Sequence, residues 1–434
     1  MVSCVADRAN LQAIFERDRT NRNLRPGRFV MARSVTIIAT LDTKGHEAAY
    51  VARLIRGAGV EARLVDVGAG GPPSVDCDVP RESIAAFHPQ GASAVLSETD
   101  RGAAVSAMSE ALVIFLSNEH AAGRIAGVLG LGGSGGTALI APALRALPIG
   151  LPKLIASTVA SGNTAPYVGS SDLVLMPSVV DVAGLNVVSR QVLANAAHAV
   201  VGMVSHELAD DGGKPAIGLT MFGVTTPCVT AARERLEADG NDVLVFHATG
   251  TGGQAMEKLV DSGLIGGVID ATTTEVADEI VGGVFRAGPD RFDAILRRQV
   301  PYVVSLGALD MVNFGALDTV PAEFRSRKLH VHNANVTLMR TMPDENRRAA
   351  AWIATKLNRS SAPLIVLVPE GGVSALDAPG QPFHDPAADA ALFDEFEQRL
   401  VITPTRQFRR LPLHINDPAF AIALVDAYYE VSQG

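Results

Sequence analysis

From residue 34 almost to the end of the chain, short apolar runs alternate with amphipathic stretches of helical length. No other feature restricts the fold as much. Ser34–Thr40 reads as a buried strand, Gly45–Ala58 as a helix stopped by Gly59, and Glu61–Val67 as the next strand. Asp100–Ala122 carries helical periodicity. Ile125–Leu131 then reads as a strand, Thr137–Ala146 as a helix and Lys153–Ser157 as a strand. Strand–helix–strand units of this length build parallel sheets with right-handed crossovers. The alternation breaks at the polar, Gly-rich, Pro-closed segment Ala209–Pro215, a linker pattern. It then restarts with strands at Ala216–Met221, Asp242–Phe246, Leu264–Asp270, Tyr302–Ser305 and Leu364–Val368. Helices are read at Val229–Ala238, Gln254–Ser262 and Pro418–Val431. The predicted fold class is α/β: two Rossmann-like domains, 31–209 and 210–434, with mainly parallel sheets and a cleft between them. Residues 1–30 hold six arginines and no apolar segment, and read as a poorly ordered extension or a misassigned start.

Composition narrows the function classes. Of 434 residues, 47% are hydrophobic and 19% charged, enough to build cores and to exclude bulk disorder. A net charge of −9 is a poor match to nucleic-acid phosphates. No uninterrupted apolar run reaches membrane-spanning length, so no membrane association is expected. The three cysteines, Cys4, Cys77 and Cys228, are far apart. They suggest neither a disulfide scaffold nor a zinc site, and a reducing cytoplasm is the expected compartment.

In open parallel sheets, ligands bind beyond the carboxyl ends of the strands. Two candidate loops lie there in the first half. One is Gly132-Gly133-Ser134-Gly135-Gly136-Thr137, between a strand and a helix. Its glycines let a phosphate approach the backbone N–H groups and the helix N-terminus, and Ser134 and Thr137 add hydroxyls. It lacks the Lys of a P-loop, and a tight helix–sheet turn is the plainer alternative. The other is Asp42-Thr43-Lys44, after the first strand. Lys44 can offset phosphate charge, and Asp42 can hold Mg²⁺ or a ribose hydroxyl, or one of these residues simply caps a helix. If their strands are neighbours, both loops face one pocket. The second half offers a parallel anion-binding segment, Thr249-Gly250-Thr251-Gly252-Gly253. Glu275 and Glu370, each just after a strand, are the candidate catalytic bases. Thr225, Thr226, His332, Asn333, Asn335 and His414 read more as structural residues, Asp417-Pro418 as a helix cap, and Cys228 as a buried thiol.

The run Ala39–Glu47 resembles the opening of the UPF0261 family, the Tm-1-like family. The resemblance continues through Gly130–Thr137, Asp181–Asn186, Phe246–Gln254, His332–Asn335, Pro369–Gly372 and His414–Pro418, and covers 31–434. It implies two Rossmann-like domains and ATP binding. Many members are joined to, or encoded beside, a TIM-barrel-like domain, which here would act in trans as a protein partner. The plant member's binding to a viral replication protein is not carried over. Three functions follow as expectations. The first is a cytoplasmic ATP-binding protein, including an ATP–Mg-dependent enzyme acting on a small acidic metabolite. The second is a non-catalytic, nucleotide-regulated subunit of a TIM-barrel-like partner. The third is a hydrolase or lyase on a sugar phosphate. The long apolar helix Val187–Val204 suits a homo-oligomer contact.

Overall fold

A computed structural model describes residues 33–206 and 213–433. The expected extension 1–30 and residues 209–212 of the linker segment lie outside the described residues. The first half contributes β1 (Ser34–Ala39), β2 (Ala62–Asp66), β3 (Ile125–Gly132), β4 (Lys153–Ser157) and β5 (Val174–Pro177). These form one sheet in the order β2-β1-β3-β4-β5, every pair parallel. The second half contributes β6 (Ala216–Met221), β7 (Val243–His247), β8 (Ile265–Thr272) and β9 (Tyr302–Gly307). After these come β10 (Met311–Phe314), β11 (Leu329–Asn333), β12 (Val336–Arg340), β13 (Leu364–Pro369) and β14 (Arg406–Leu411). Six of these make a parallel sheet in the order β14-β13-β9-β8-β6-β7. Counted from its own first strand, the second sheet repeats the order of the first and adds one strand. The mixed α/β class with mainly parallel sheets is as expected.

Both faces of each sheet are covered, which is why the strands read as continuous apolar runs. Alternate residues of β1 separate to opposite faces. Val35, Ile37 and Ala39 pack with α1 (Leu41–Gly57) and α4 (Val187–Ser205), whereas Ile38 packs with α2 (Arg101–Ala121) and α3 (Ser134–Ala146). Two cores flank the second sheet in the same way. Its helices are α5 (Thr226–Ala238), α6 (Thr251–Asp261), α7 (Thr274–Val281), α8 (Pro343–Leu357), α9 (Pro386–Arg399) and α10 (Pro418–Ser432). Asp417 does cap α10, accepting from the Ala419 N–H at 2.8 Å.

Several elements depart from expectation. The helix predicted from Gly45 starts at Leu41, so Asp42, Thr43 and Lys44 form its first turn, with a kink at Lys44 (φ −125°, ψ 16°). β5 was not foreseen, being four residues long and partly exposed. The antiparallel sheet β10-β12-β11, inserted between β9 and β13, also escaped because its strands are only four or five residues long. By length and composition α4 is apolar enough to cross a membrane, unlike the sequence expectation. Here it buries Leu193, Ala196, Ala197 and Val200 against the first sheet and exposes Arg190, Gln191, Asn195 and His198.

Candidate functional site

After β1 the chain passes to β2 on one side and later to β3 on the other, so the strand order reverses between β1 and β3. A crevice opens at such a reversal, beyond the carboxyl ends of the strands. The expected juxtaposition is present: β1 and β3 are direct neighbours, and one cavity of about 560 Å³ is lined by both loops. Asp42, Thr43 and Lys44 form one wall, and Gly133, Ser134, Gly135 and Gly136 another. α3 begins at this wall with Gly133 as its N-cap, and Gly133 has no side chain with which to satisfy the first N–H groups. An uncapped helix N-terminus directs unpaired donors and positive potential at the cavity. The glycines have separate reasons. A Cβ on Gly132 would lie 2.9 Å from the Gly136 Cα, so the turn between β3 and α3 closes only with Gly there, whereas the Cβ position of Gly135 meets only the tip of Arg101, at 3.9 Å.

Two cations flank the donors. Lys44 and Arg101 both line the cavity, and among the described residues their side chains make no hydrogen bond or ion pair. Arg101 was not singled out from the sequence. It sits in the first turn of α2, more than thirty residues before the glycine loop, and only the tertiary fold brings it there. Asp42 accepts from the Gly70 N–H at 3.2 Å with Oδ2, while its Oδ1 is buried without a partner. Asp66, at the end of β2, underpins this wall, with Oδ1 accepting from the Leu41 and Gly68 N–H groups, each at 2.9 Å. Burial holds its carboxyl above the ordinary range, against the lowering effect of those bonds and of Arg81. Two residues of the predicted set do not face the cavity. Gly132 is buried at the end of β3. Thr137 is fully buried, its hydroxyl bonded to the Gly133 carbonyl (2.8 Å) and to Ser157 Oγ (2.6 Å), so the expected ligand hydroxyl is a structural tie.

The second half differs. Thr249–Gly253 follows β7, an edge strand, and its glycines fit against a buried ion cluster. Gly250 adopts φ +75°, a conformation natural only to Gly, and its N–H donates to Glu275 Oε2 at 2.8 Å. A Cβ on Gly253 would collide with Glu275 Oε1. Glu275, Asp270 and Glu257 surround Arg291, at 2.5, 2.7 and 3.1 Å. Burial alone would lower the Arg291 pKa, but these three carboxylates outweigh it and raise it. Burial also pushes Glu275 upward despite Arg291. Glu275 has no exposed surface and both oxygens are engaged. Glu275, read from the sequence as a candidate catalytic base, here clamps the glycine segment from inside the fold. Glu370 lies at the carboxyl end of β13 beside a separate cavity of about 370 Å³, paired with Arg410 at 2.7 Å. Thr225 and Thr272, at the second sheet's own reversal point, are buried and bonded to each other at 2.8 Å. Thr226 bonds the Phe222 and Gly223 carbonyls. His414 and Asn416 tie loops together through Ser374 O and Val224 O. His332, Asn333 and Asn335 lie exposed at the β11–β12 hairpin. Burial pushes the Cys228 thiol up to about 12.

Family models describe both halves. The N-terminal domain of an uncharacterised protein family, UPF0261, matches residues 33–209, and its C-terminal domain matches 214–432. A UPF0261 protein of Rhizobium meliloti is 56% identical over 92% of this chain and 99% of its own length. The tomato (Solanum lycopersicum) ToMV resistance protein Tm-1 is 49% identical over 92% of this chain, which spans 56% of that protein. The ToMV susceptible protein tm-1 is 48% identical over the same share.

Proposed function

The chain belongs to the UPF0261 family, and on that premise we propose that its first half binds the phosphate chain of ATP, with Mg²⁺, between β1 and β3. The observation that carries this reading is the uncapped N-terminus of α3 in a cavity shared with two unpaired cations, Lys44 and Arg101. Phosphate oxygens would take the donors of Ser134, Gly135 and Gly136. Among the described residues no group of three or more His, Cys, Asp or Glu could hold a metal ion. That suits Mg²⁺ arriving with the nucleotide, since Mg²⁺ typically takes one or two carboxylates plus phosphate oxygens. Asp42, with its unpartnered Oδ1, is the carboxylate for that role.

Neither Glu275 nor Glu370 lines this cavity. The carboxylates that do line it are Asp42 and Glu98, so an ATP–Mg-dependent enzyme on a small acidic metabolite and a nucleotide-regulated binding subunit of a TIM-barrel-like partner are the two readings to be separated. Calorimetric titration of MgATP into the full chain tests the reading. Lys44→Ala and Arg101→Ala are each expected to weaken binding about tenfold or more, and Gly135→Asp to abolish it. Undiminished affinity in all three variants, or none in the wild type, would overturn the proposal. Turnover appearing only when the partner is added would support the subunit reading.

A further inference from the structure

The cavity of about 370 Å³ beside Glu370, at the carboxyl ends of β13 and β14, is separate from the crevice of the first half. Its polar lining comes from Glu370, His384, Asp389 and Arg410. Arg410 is already shared by Glu370 at 2.7 Å, Asp394 at 3.0 Å and Glu397 at 2.9 Å. A phosphate or carboxylate ligand would have to displace those carboxylates from the guanidinium. Glu370 is the accessible member of the group. Its side chain is 37% exposed, and its Oε2 makes no hydrogen bond among the described residues. The His384 imidazole is likewise without a hydrogen bond among the described residues.

Asp389, in the first turn of α9, meets the cavity from inside the fold. Only 9% of its side chain is exposed, and its Oδ1 accepts from Arg340 Nη2 at 2.5 Å. The rest of Arg340 is engaged: Nε donates to the Phe383 carbonyl at 2.7 Å, and Nη1 to Thr341 Oγ1 at 2.9 Å. Asp310 also faces this guanidinium. Behind Asp389 lies Asp377, fully buried, with Oδ2 accepting from the Val373 N–H at 3.0 Å. Asp377 Oδ1 is buried without a donor and stands 3.8 Å from Arg340. The Asp389 carboxyl is within hydrogen-bonding reach of Asp377, a contact that two carboxyls make only with a proton between them. Burial pushes the Asp389 carboxyl upward, against the pull of Arg340 and with the help of Asp377. A protonated Asp389 therefore supplies the donor that Asp377 lacks. One cavity is thus lined by an ion-paired carboxylate with a free oxygen and by a carboxyl that carries a proton. Different surroundings give the two groups the complementary states that a base and an acid require.

We propose that this cavity is a second ligand site, for a small neutral polyhydroxylated molecule, with Glu370 accepting a proton from a ligand hydroxyl and Asp389 donating one. Such a ligand needs an acceptor and a donor and no free counter-charge. Asp377 is a positioning residue. Glycidol, a hydroxylated three-carbon epoxide, is the probe. Glu370 Oε2 attacks the terminal epoxide carbon, the ring carbon–oxygen bond breaks, and that oxygen takes the proton of Asp389. The product is a glyceryl ester on Glu370, and solvent reprotonates Asp389. Full-length protein is incubated with glycidol, and esterified residues are quantified by peptide mass spectrometry. Glu370 is expected to react about tenfold or more faster than Asp344, whose side chain is 92% exposed. Asp389→Asn is expected to slow the reaction of Glu370 about tenfold or more. In wild type the rate should fall from about pH 7 to about pH 9.5, as Asp389 loses its proton. That profile decides the matter should Asp389→Asn fail to fold. Excess ribitol should protect Glu370, and inorganic phosphate should not. Reaction no faster than at Asp344, or a rate that does not fall with pH, overturns the acid–base pair. Protection by phosphate, or none by ribitol, overturns the ligand class.

Discussion

Thr137 and Asp42 show what a residue's position in the sequence conveys. Both lie at a strand's carboxyl end, and that much was legible. Whether the side chain turns to the crevice or the core depends on the partner across the sheet, here Ser157 for Thr137. Thr137→Val is therefore expected to lower stability by about 1–3 kcal/mol, the cost of stranding buried hydrogen-bonding groups, with MgATP affinity unchanged. Thermal denaturation and calorimetry of the same sample check both halves of this. A second residue-scale prediction concerns pH. Arg340 faces three buried carboxylates, Asp310, Asp377 and Asp389. Burial pushes Asp310 up to about 7 and Asp389 to about 8. A folded-state carboxyl above its unfolded value binds more protons than the unfolded chain, so its contribution to stability falls as pH rises from about 4 towards 8. Asp310→Asn retains an oxygen for the 2.7 Å bond from Ser374 Oγ and removes the charge. Its melting temperature relative to wild type should be several degrees more favourable at pH 8.5 than at pH 5.5. An equal offset at the two pH values would contradict this.

At the scale of elements, the two glycine segments look alike in sequence and differ in the fold. Both connect a strand to a helix, and that was legible. Sheet order was not, because nothing in a glycine run says whether its strand is central or at the edge. The first segment follows β3, at the order reversal, and opens to a cavity. The second follows β7, at the edge, and is pinned by Glu275 and Arg291. The same substitution should separate them. Gly253→Ala must displace Glu275 Oε1 and crowd Arg291 Nε at 2.9 Å, so destabilisation of about 1–3 kcal/mol is expected, as in other overpacked cores. Gly135→Ala meets only the far end of the Arg101 side chain and should leave the stability within about 0.5 kcal/mol of wild type. Comparable losses in the two variants would contradict the assignment of open and closed segments.

At the scale of the whole molecule, the two halves touch at the amino ends of their strands. A cleft between the two α/β domains, closing over a bound ligand, would need their carboxyl-end loops to approach each other. The hydrogen bonds observed between the halves lie elsewhere. Ile149 N–H donates to Ser262 Oγ at 2.9 Å, and Lys258 Nζ to the Ala146 carbonyl at 2.9 Å. Residues 146–152 precede β4, and Ser262 precedes β8, so both contacts are at the amino ends of the strands. A cavity of about 900 Å³ at this junction includes Ser262 with residues of the first half. The cavities described at the carboxyl ends are each lined by one half alone. A hinge pivoting on amino-end contacts would not bring the second sheet's loops over the β1/β3 crevice. Ligand binding should therefore leave the arrangement of the halves intact. Small-angle scattering of the full chain, with and without saturating MgATP, should give superimposable profiles and an unchanged radius of gyration. Ser262→Ala should leave nucleotide affinity within about twofold, because the residue lies at the opposite end of the strands from the phosphate site. Compaction on adding nucleotide, or affinity lost in Ser262→Ala, would restore a closing cleft.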